Sequence, residues 1–141
     1  MRESSAPGTP AQKGSIPLCV PQIQGNEWEY IKECLDTNWV SSVGSFVDRF
    51  EQATCDYVGA RHAVATINGT AALHVALIVA GVGPEDEVIV PTITFAASAN
   101  CVLFQGARPI LVDVDPATLC IDPAAVEAAI TPQTRAVLAV D

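Results

Sequence analysis

The chain has 141 residues, of which 50% are hydrophobic and 16% are charged, and its formal net charge is −9. This length allows one domain or part of a larger one, and the apolar content is ample for a core. Nucleic-acid binding needs clustered basic side chains, so we expect none from an acidic chain with 7 Lys and Arg. No apolar run is long enough to span a bilayer, and we expect no membrane partner.

The first fifteen residues are rich in Ser, Pro and Gly and predict a flexible leader, followed by one folded region over 16–141. They contain no apolar segment of the kind that a signal peptide requires, which indicates a cytoplasmic protein. We expect the leader to take no part in the fold.

The cysteines are scattered without a CxxC motif, at positions 19, 34, 55, 101 and 120. Such a set predicts free thiols in a reducing compartment. Four of them stand in apolar surroundings and are predicted to be buried, whereas Cys55 stands on a more polar stretch. Neither His62 nor His74 has metal-ligand spacing to a cysteine, so we expect no metal.

Two helices are predicted before residue 60. Asn26 and Ser45 are each followed three residues later by an acidic residue, which is the capping-box pattern of a helix start. Apolar residues at helical spacing then predict amphipathic helices over 27–37 and 46–58.

From His62 onward the pattern changes to short apolar runs without alternation, at 63–67, 87–91, 109–114 and 136–140. Runs of this kind are typical of strands buried on both faces. Helical stretches separate them, at 70–80, 95–104 and 123–130. The alternation predicts an α/β fold, a three-layer α/β/α sandwich with a mostly parallel sheet. Ligands of such sheets bind at the carboxyl ends of the strands.

The turn Asn68-Gly69-Thr70 joins the first predicted strand to the next helix, and two interpretations stay open. A helix that opens on Gly-Thr offers free backbone N–H groups, a positive dipole end and a hydroxyl, which together suit a phosphate. An ordinary turn with Asn68 as the N-cap explains the same residues. No GxGxxG or GxxxxGK[ST] motif supports a nucleotide site.

The other strand ends also have ordinary explanations. Phe95, as a lone aromatic residue, is predicted to lie in the core, and Thr94 to cap the helix that begins beside it. Asp115-Pro116 is typical of a turn opening, with Asp113 bonded to the same turn. Asp141 follows the last predicted strand.

Several motifs occur together, in order, at residues 38–44, 50–51, 68–74, 86–91, 94–95 and 106–115. In this arrangement the chain from about 16 to 141 resembles the pyridoxal-phosphate-dependent sugar aminotransferases of the DegT/StrS type. The resemblance implies the fold-type I large domain, similar to that of aspartate aminotransferase. The opening segment most resembles members that act on nucleotide-linked 4-keto-6-deoxy sugars, as in legionaminic-acid or bacillosamine pathways.

The resemblance also implies roles for single residues. Gly69 and Thr70 would hold the cofactor phosphate, and Phe95 would stack on the pyridine ring, with residues 92–96 lining the pocket. Trp39, Ser41 and Ser42 would lie near the entrance for the sugar substrate. Further implications are glutamate as the amino donor, a nucleotide-linked keto-sugar as the acceptor, polysaccharide or amino-sugar biosynthesis as the context, and a homodimer.

In the family, the lysine that holds the cofactor covalently comes well after the Gly-Thr turn, and neither Lys13 nor Lys32 matches its position. We therefore expect the chain to be the N-terminal part of such an enzyme, and to be inactive by itself. Two alternatives stay open: part of a dehydratase of the same family, in which the lysine is replaced, or a non-catalytic binding or dimerisation module.

Overall fold

The computed structural model describes residues 20–140, which form two compact units divided after Ala53. The predicted leader, Cys19 and Asp141 lie outside the described residues. The elements follow in the order α1 (Glu27–Asp36), α2 (Ser45–Val58), α3 (Gly69–Val79), β1 (Glu87–Pro91), α4 (Ala97–Phe104), β2 (Arg108–Val112), α5 (Pro123–Ala129) and β3 (Thr134–Val137). All five predicted helices are present, and each end lies within two residues of its predicted position.

The start of α1 differs from the predicted capping box. Asn26 is the N-cap residue, but its side chain makes no capping hydrogen bond. The carboxylate of Glu27 instead accepts a bond from the backbone N–H of Gly25, at 2.8 Å. The helix α2 begins at Ser45 itself, and the carbonyl of Gly44 accepts from Val47 N–H at 3.0 Å.

An aromatic pair with an arginine packs the N-terminal unit. The rings of Tyr30 and Phe46 lie 5.0 Å apart, and the Arg49 guanidinium lies 5.0 Å and 4.7 Å from their centroids. A hydrogen bond with Asn26 and the nearby Arg49 lower the pKa of Tyr30. No residue of α1 is fully buried, so this unit is held by partly exposed contacts.

The second unit is built around a three-stranded, all-parallel sheet in the order β2-β1-β3. Its central strand carries the run Val88-Ile89-Val90, and all five of its residues are buried. Ile89 pairs with Ile110 on one side and with Val137 on the other. An unalternating apolar strand is stable here because both of its faces are covered.

The strand order places helices on both faces of the sheet. The connection from β1 to β2 moves to one side and contains α4, whereas the connection from β2 to β3 moves back across β1 and contains α5. Crossovers between parallel strands are right-handed, so connections that run in opposite directions lie on opposite faces. The predicted α/β/α arrangement follows from this topology.

One face of the sheet packs against α3 and α4 in the main apolar core. Val88 and Val90 contribute from β1, and the other buried members of the cluster are Leu77, Val82, Cys101, Val102 and Ala107. Gly81 ends α3 at φ +73, and its N–H donates to the Ile78 carbonyl at 2.9 Å. A left-handed backbone conformation at this position favours glycine, as it does at the end of many helices.

The predicted strand over 63–67 is wrong. The segment forms no strand in the described part of the chain, and Val64 and Ile67 are 79% and 92% exposed. A strand requires a neighbouring strand whose backbone groups lie alongside, and residues 63–67 are not part of the three-stranded sheet that the described residues form. The run predicted at 136–140 forms its strand earlier, at Thr134–Val137, and Leu138 N–H still bonds to Ile89 O at 2.9 Å.

Four of the cysteines were predicted to be buried. The structure describes three of these four, and one of the three is buried. Cys101 is fully buried, whereas Cys34 and Cys120 are only half-buried. Cys55, on its more polar stretch, is also half-buried. All four described cysteines have free thiols.

A buried carboxylate opens the central strand. Glu87 is 3% exposed, accepts a hydrogen bond from the Thr131 hydroxyl at 2.6 Å, and forms an ion pair with Arg108. The Thr131 bond, and after it the arginine, hold the pKa of Glu87 below its usual value. These partners compensate for removing a charge from water.

Candidate functional site

A cleft of about 550 Å³ lies where α3 begins and where the chain leaves β1. Most of its lining is apolar, and it is formed by Gly69, Thr70, Ala72, Leu73, Phe95, Ala97 and Ser98. The three residues predicted to hold a cofactor, Gly69, Thr70 and Phe95, are therefore brought together at the carboxyl end of a central strand. This is the position at which parallel sheets bind ligands.

The local sequence explains why the α3 terminus is open to this cleft. Asn68 is extended, and its side chain accepts from the N–H of Ala71 at 2.9 Å, while the Thr66 hydroxyl donates to the Asn68 carbonyl at 3.1 Å. The predicted N-cap role of Asn68 is confirmed. Because Asn68 satisfies only Ala71, the N–H groups of Gly69 and Thr70 keep no hydrogen-bond partner among residues 20–140.

Glycine at position 69 leaves space beside the first free N–H group. A Cβ atom built there would have no heavy atom of residues 20–140 within 4 Å. The space is therefore not needed by the protein's own packing and stays open to a ligand. An anion in it would meet two free N–H groups and the positive end of the helix dipole.

Phe95 is 81% exposed, so the prediction that it lies in the core is wrong. The chain turns sharply after β1, and α4 begins only at Ala97, with Ala96 as an N-cap that makes no side-chain bond. Thr94 therefore does not cap α4 as predicted. Of residues 92–96, which the resemblance placed around the pocket, only Phe95 lines the cleft.

Ser98 is a cleft residue that sequence reasoning missed. It is 4% exposed, and its Oγ lies 2.8 Å from the Oγ1 of Thr94. The spacing of four between two hydroxyl residues is the signal that could have found this pair, since such residues meet on one side of a helical turn.

The helices α3 and α4 are joined directly behind the cleft. The Cys101 thiol donates to the backbone carbonyl of Thr70, with 3.3 Å between sulfur and oxygen, and the rings of His74 and Phe104 meet edge to face at 5.7 Å. Burial raises the pKa of the Cys101 thiol, which keeps it neutral and able to donate. Cys101 thus fixes the turn that carries the free N–H groups.

The predicted substrate residues lie in the N-terminal unit. Trp39 and Ser41 line a pocket of about 90 Å³, with Gly44 beside the Trp39 ring, and Ser42 is exposed outside its lining. Their role in substrate binding stays a prediction.

The acidic residues after β2 stabilise turns. One Asp115 carboxylate oxygen accepts from Ala117 N–H at 2.7 Å and from Thr118 N–H at 3.1 Å, and Asp113 accepts from Val114 N–H at 2.9 Å. The turn-opening interpretation of Asp115 is confirmed, whereas Asp113 bonds to its own neighbour. No three His, Cys, Asp or Glu side chains within residues 20–140 are grouped as a metal site requires. None of the described helices has the length and apolarity needed to cross a membrane.

Comparison with known proteins agrees with this fold. The sequence profile of the DegT/DnrJ/EryC1/StrS aminotransferase family matches residues 21–141. The GDP-perosamine synthase of Caulobacter vibrioides is 54% identical over 125 residues, which make up 89% of this chain and 34% of that protein. The chain thus spans about a third of the length of the curated relatives it matches.

Solved structures of relatives have the same fold. The crystal structure of 3-amino-5-hydroxybenzoic acid synthase is 41% identical, with a TM-score of 0.78, and the match covers 84% of this chain and 31% of that one. The sugar aminotransferase Spr1654 from Streptococcus pneumoniae, in its PLP form, is 33% identical with a TM-score of 0.77, over 86% and 31% of the two chains. On the strength of the family match, the chain belongs to the DegT/DnrJ/EryC1/StrS aminotransferase family.

Proposed function

We propose that this chain forms the phosphate-binding and ring-binding part of the pyridoxal-phosphate site in a sugar aminotransferase. The observation that carries the proposal is the shared cleft, in which two N–H groups without partners among residues 20–140 lie with the exposed ring of Phe95.

The phosphate of the cofactor suits the beginning of α3. Gly69 and Thr70 offer two backbone donors, and the Thr70 hydroxyl adds a third on the same residue pair. The helix is eleven residues long and its first turn contains no acidic side chain, so its dipole is not offset there. Donors with these properties favour a dianionic phosphate over a neutral group.

The aromatic ring of the cofactor suits Phe95. An exposed phenyl group beside a mostly apolar cleft is available for offset stacking on a flat heterocycle. When bound, pyridoxal phosphate supplies the electron sink for amino-group transfer. The residues of this chain bind and orient it.

Neither lysine of this chain is assigned a covalent role. Lys32 lies on α1 of the N-terminal unit and is ion-paired with Asp36, and Lys13 lies outside the described residues. Residues 20–140 are therefore proposed to bind and orient the cofactor. The dehydratase and the binding-module alternatives stay open predictions, because they depend on the residue at the position of the family's cofactor-binding lysine.

The substrates proposed for the whole protein are a nucleotide-linked keto-sugar and glutamate, with a homodimer as its assembly. The names of the relatives support the sugar: one is GDP-perosamine synthase and another is a spore coat polysaccharide biosynthesis protein of Bacillus subtilis. They favour a GDP-linked 4-keto-6-deoxy sugar over the legionaminic-acid or bacillosamine context. Trp39, Ser41 and Ser42 are proposed to lie near that substrate, and the free thiols support the cytoplasm as its compartment.

A chimaera tests the proposal. Residues 20–140 would replace the matching third of the Caulobacter vibrioides enzyme, and amination of a GDP-linked 4-keto-6-deoxy sugar by glutamate would be followed by product mass. We expect a folded chimaera that retains cofactor and transfers the amino group. A folded chimaera that loses pyridoxal phosphate would contradict the assignment of Gly69, Thr70 and Phe95.

Phe95→Ala in the same chimaera separates the ring contact from the fold. Because the side chain is exposed, we expect a change in folding free energy within about 0.5 kcal/mol. Cofactor retention and turnover should fall, and excess cofactor should restore part of the activity by mass action. Thr92→Val, an exposed residue of the same turn outside the cleft lining, serves as the control.

A further inference from the structure

We propose that the hydroxyl pair of Thr94 and Ser98 positions Phe95 in the cleft beside Gly69 and Thr70. The inference deepens the proposed function and depends on it for the identity of the ligand. Thr94 and Ser98 do not stack on the cofactor themselves. In this proposal they hold Phe95, the residue proposed to stack on it.

The pair closes the chain around Phe95 with two hydrogen bonds. The two hydroxyl oxygens lie 2.8 Å apart, and the Ser98 N–H donates to the Phe95 carbonyl at 3.0 Å. One bond joins side chains and the other joins backbone groups, and both span the turn that carries the ring. Phe95 is therefore enclosed in a loop whose two ends are tied together.

Other restraints on this turn are weak. The Phe95 side chain is exposed, so packing does not hold its ring in one orientation. The N-cap position of α4 is Ala96, which has no side chain able to accept from the free N–H groups of the first turn. The hydrogen bond between the Thr94 and Ser98 hydroxyls is therefore the side-chain bond that restrains this turn in the described structure.

Ser98 is also tied to the rest of the cleft. Its side chain is nearly fully buried, where a hydroxyl without a partner is costly, and Thr94 is the partner in the described structure. Cys101 lies three residues further along α4 and bonds to the Thr70 carbonyl. One helix therefore holds both sides of the cleft: the ring through Ser98, and the N–H donors through Cys101.

The first measurement is amide hydrogen exchange on the 141-residue chain, which needs no ligand. Thr94→Val keeps the shape of the side chain but removes its hydroxyl. We expect exchange of the Ser98 amide to accelerate about 2- to 10-fold, the range set by one net hydrogen bond. Exchange of the Ile89 amide, in the central strand, should not change. Thr94→Ser should restore the wild-type rate, and Thr92→Val should leave it unaltered.

The second measurement compares two ligands by phosphorus NMR titration. Pyridoxal 5′-phosphate would contact both Phe95 and the start of α3 at Gly69 and Thr70, whereas inorganic phosphate tests the start of α3 alone. We expect Thr94→Val and Ser98→Ala to weaken pyridoxal phosphate as much as Phe95→Ala does, with inorganic phosphate binding unchanged. The double variant Thr94→Val, Phe95→Ala should bind no more weakly than either single variant, because both remove one contact.

Unchanged Ser98 exchange in Thr94→Val would overturn the positioning role. So would an equal loss of both ligands together with a lower unfolding temperature, which is the result expected of a purely structural pair. If the wild-type chain binds neither ligand, the proposed function is wrong, and the exchange measurement by itself decides whether the hydroxyl pair holds the turn.

Discussion

At the residue scale, the cleft depends on groups that have no internal partners within the described residues. Asn68 satisfies one N–H group at the start of α3, and those of Gly69 and Thr70 have no hydrogen-bond partner in the described part of the chain. Phe95 is likewise exposed although it is among the most apolar residue types. Polar donors and apolar surface that remain uncovered at one place are typical of a binding site.

Thr70→Val tests the hydroxyl of the phosphate site. The substitution keeps the β-branched shape and deletes a donor to a charged acceptor. In the chimaeric enzyme we expect cofactor affinity to fall by about 10- to 150-fold, which corresponds to about 1.5–3 kcal/mol. Equilibrium dialysis against pyridoxal phosphate measures the loss. Retention equal to that of the parent would show that Thr70 serves only as a residue of the first helical turn.

Glu87 predicts a dependence of stability on pH. The pKa of its carboxyl is lowered below the ordinary value of 4.5, first by the Thr131 hydroxyl. A lowered folded pKa means that the stabilisation is complete above the unfolded value and is lost as the pH falls through the folded one. Thr131→Val should therefore reduce stability at neutral pH, and its difference from wild type should shrink in acid below about pH 4.5.

Urea unfolding measured from about pH 3 to about pH 7 checks this expectation, because this range covers both protonation states of a glutamate. Thr118→Val is the matched control, because the Thr118 hydroxyl accepts from Cys120 N–H much as that of Thr131 accepts from Gln133 N–H, but it bonds to no carboxylate within residues 20–140. The control should lose stability equally at every pH. A pH-independent loss in Thr131→Val would contradict the linkage.

At the element scale, two asparagines precede helices and only one of them acts as a cap. Asn68 is extended and accepts from Ala71 N–H, whereas Asn26, at φ −95 and ψ 15, makes no capping bond. The same residue type therefore has different effects because the backbone before the helix decides whether its side chain can reach the first turn.

Asn68→Ala should destabilise the chain by about 0.5–2 kcal/mol, the range for loss of an N-cap. Asn26→Ala should cost clearly less, because it removes no capping bond. Circular dichroism during urea unfolding measures both variants under the same conditions. Equal losses for the two would show that the Asn68 bond contributes nothing beyond helix propensity.

At the scale of the whole molecule, the second unit exposes much apolar surface. Tyr57 and Ile67 are each 92% exposed and Val79 is 82% exposed, and the two edge strands β2 and β3 have no further neighbours in the described sheet. Exposed apolar side chains and unpaired strand edges favour association between chains.

We therefore expect the 141-residue chain to self-associate at micromolar concentration. Sedimentation velocity over a range of concentrations should show species larger than the monomer, and heating should give a broad transition. A monodisperse monomer with a sharp cooperative melt would contradict this expectation. The chimaera is the control, since its additional two thirds would cover the same surfaces if the family assignment extends to the whole fold.

The sequence by itself determined the type and order of most elements. Local spacing of apolar residues predicts the strands at 87–91 and 109–114 and the helix between them. Such a pattern forms the same element wherever its apolar side is buried. The turn Asn68-Gly69-Thr70 could also be predicted from the sequence, because its N-cap, its glycine and its hydroxyl are three consecutive residues.

The tertiary structure decided which of these features have partners. The run at 63–67 is as apolar as a strand, but it is not part of the sheet within residues 20–140, because strand pairing is a property of two segments. Phe95 lies outside the core because the turn after β1 directs it into the cleft. Ser98 and Cys101 gained their roles from contacts with Thr94 and, across 31 residues of sequence, with Thr70. Contacts of the latter kind depend on how helices pack, which local composition does not encode.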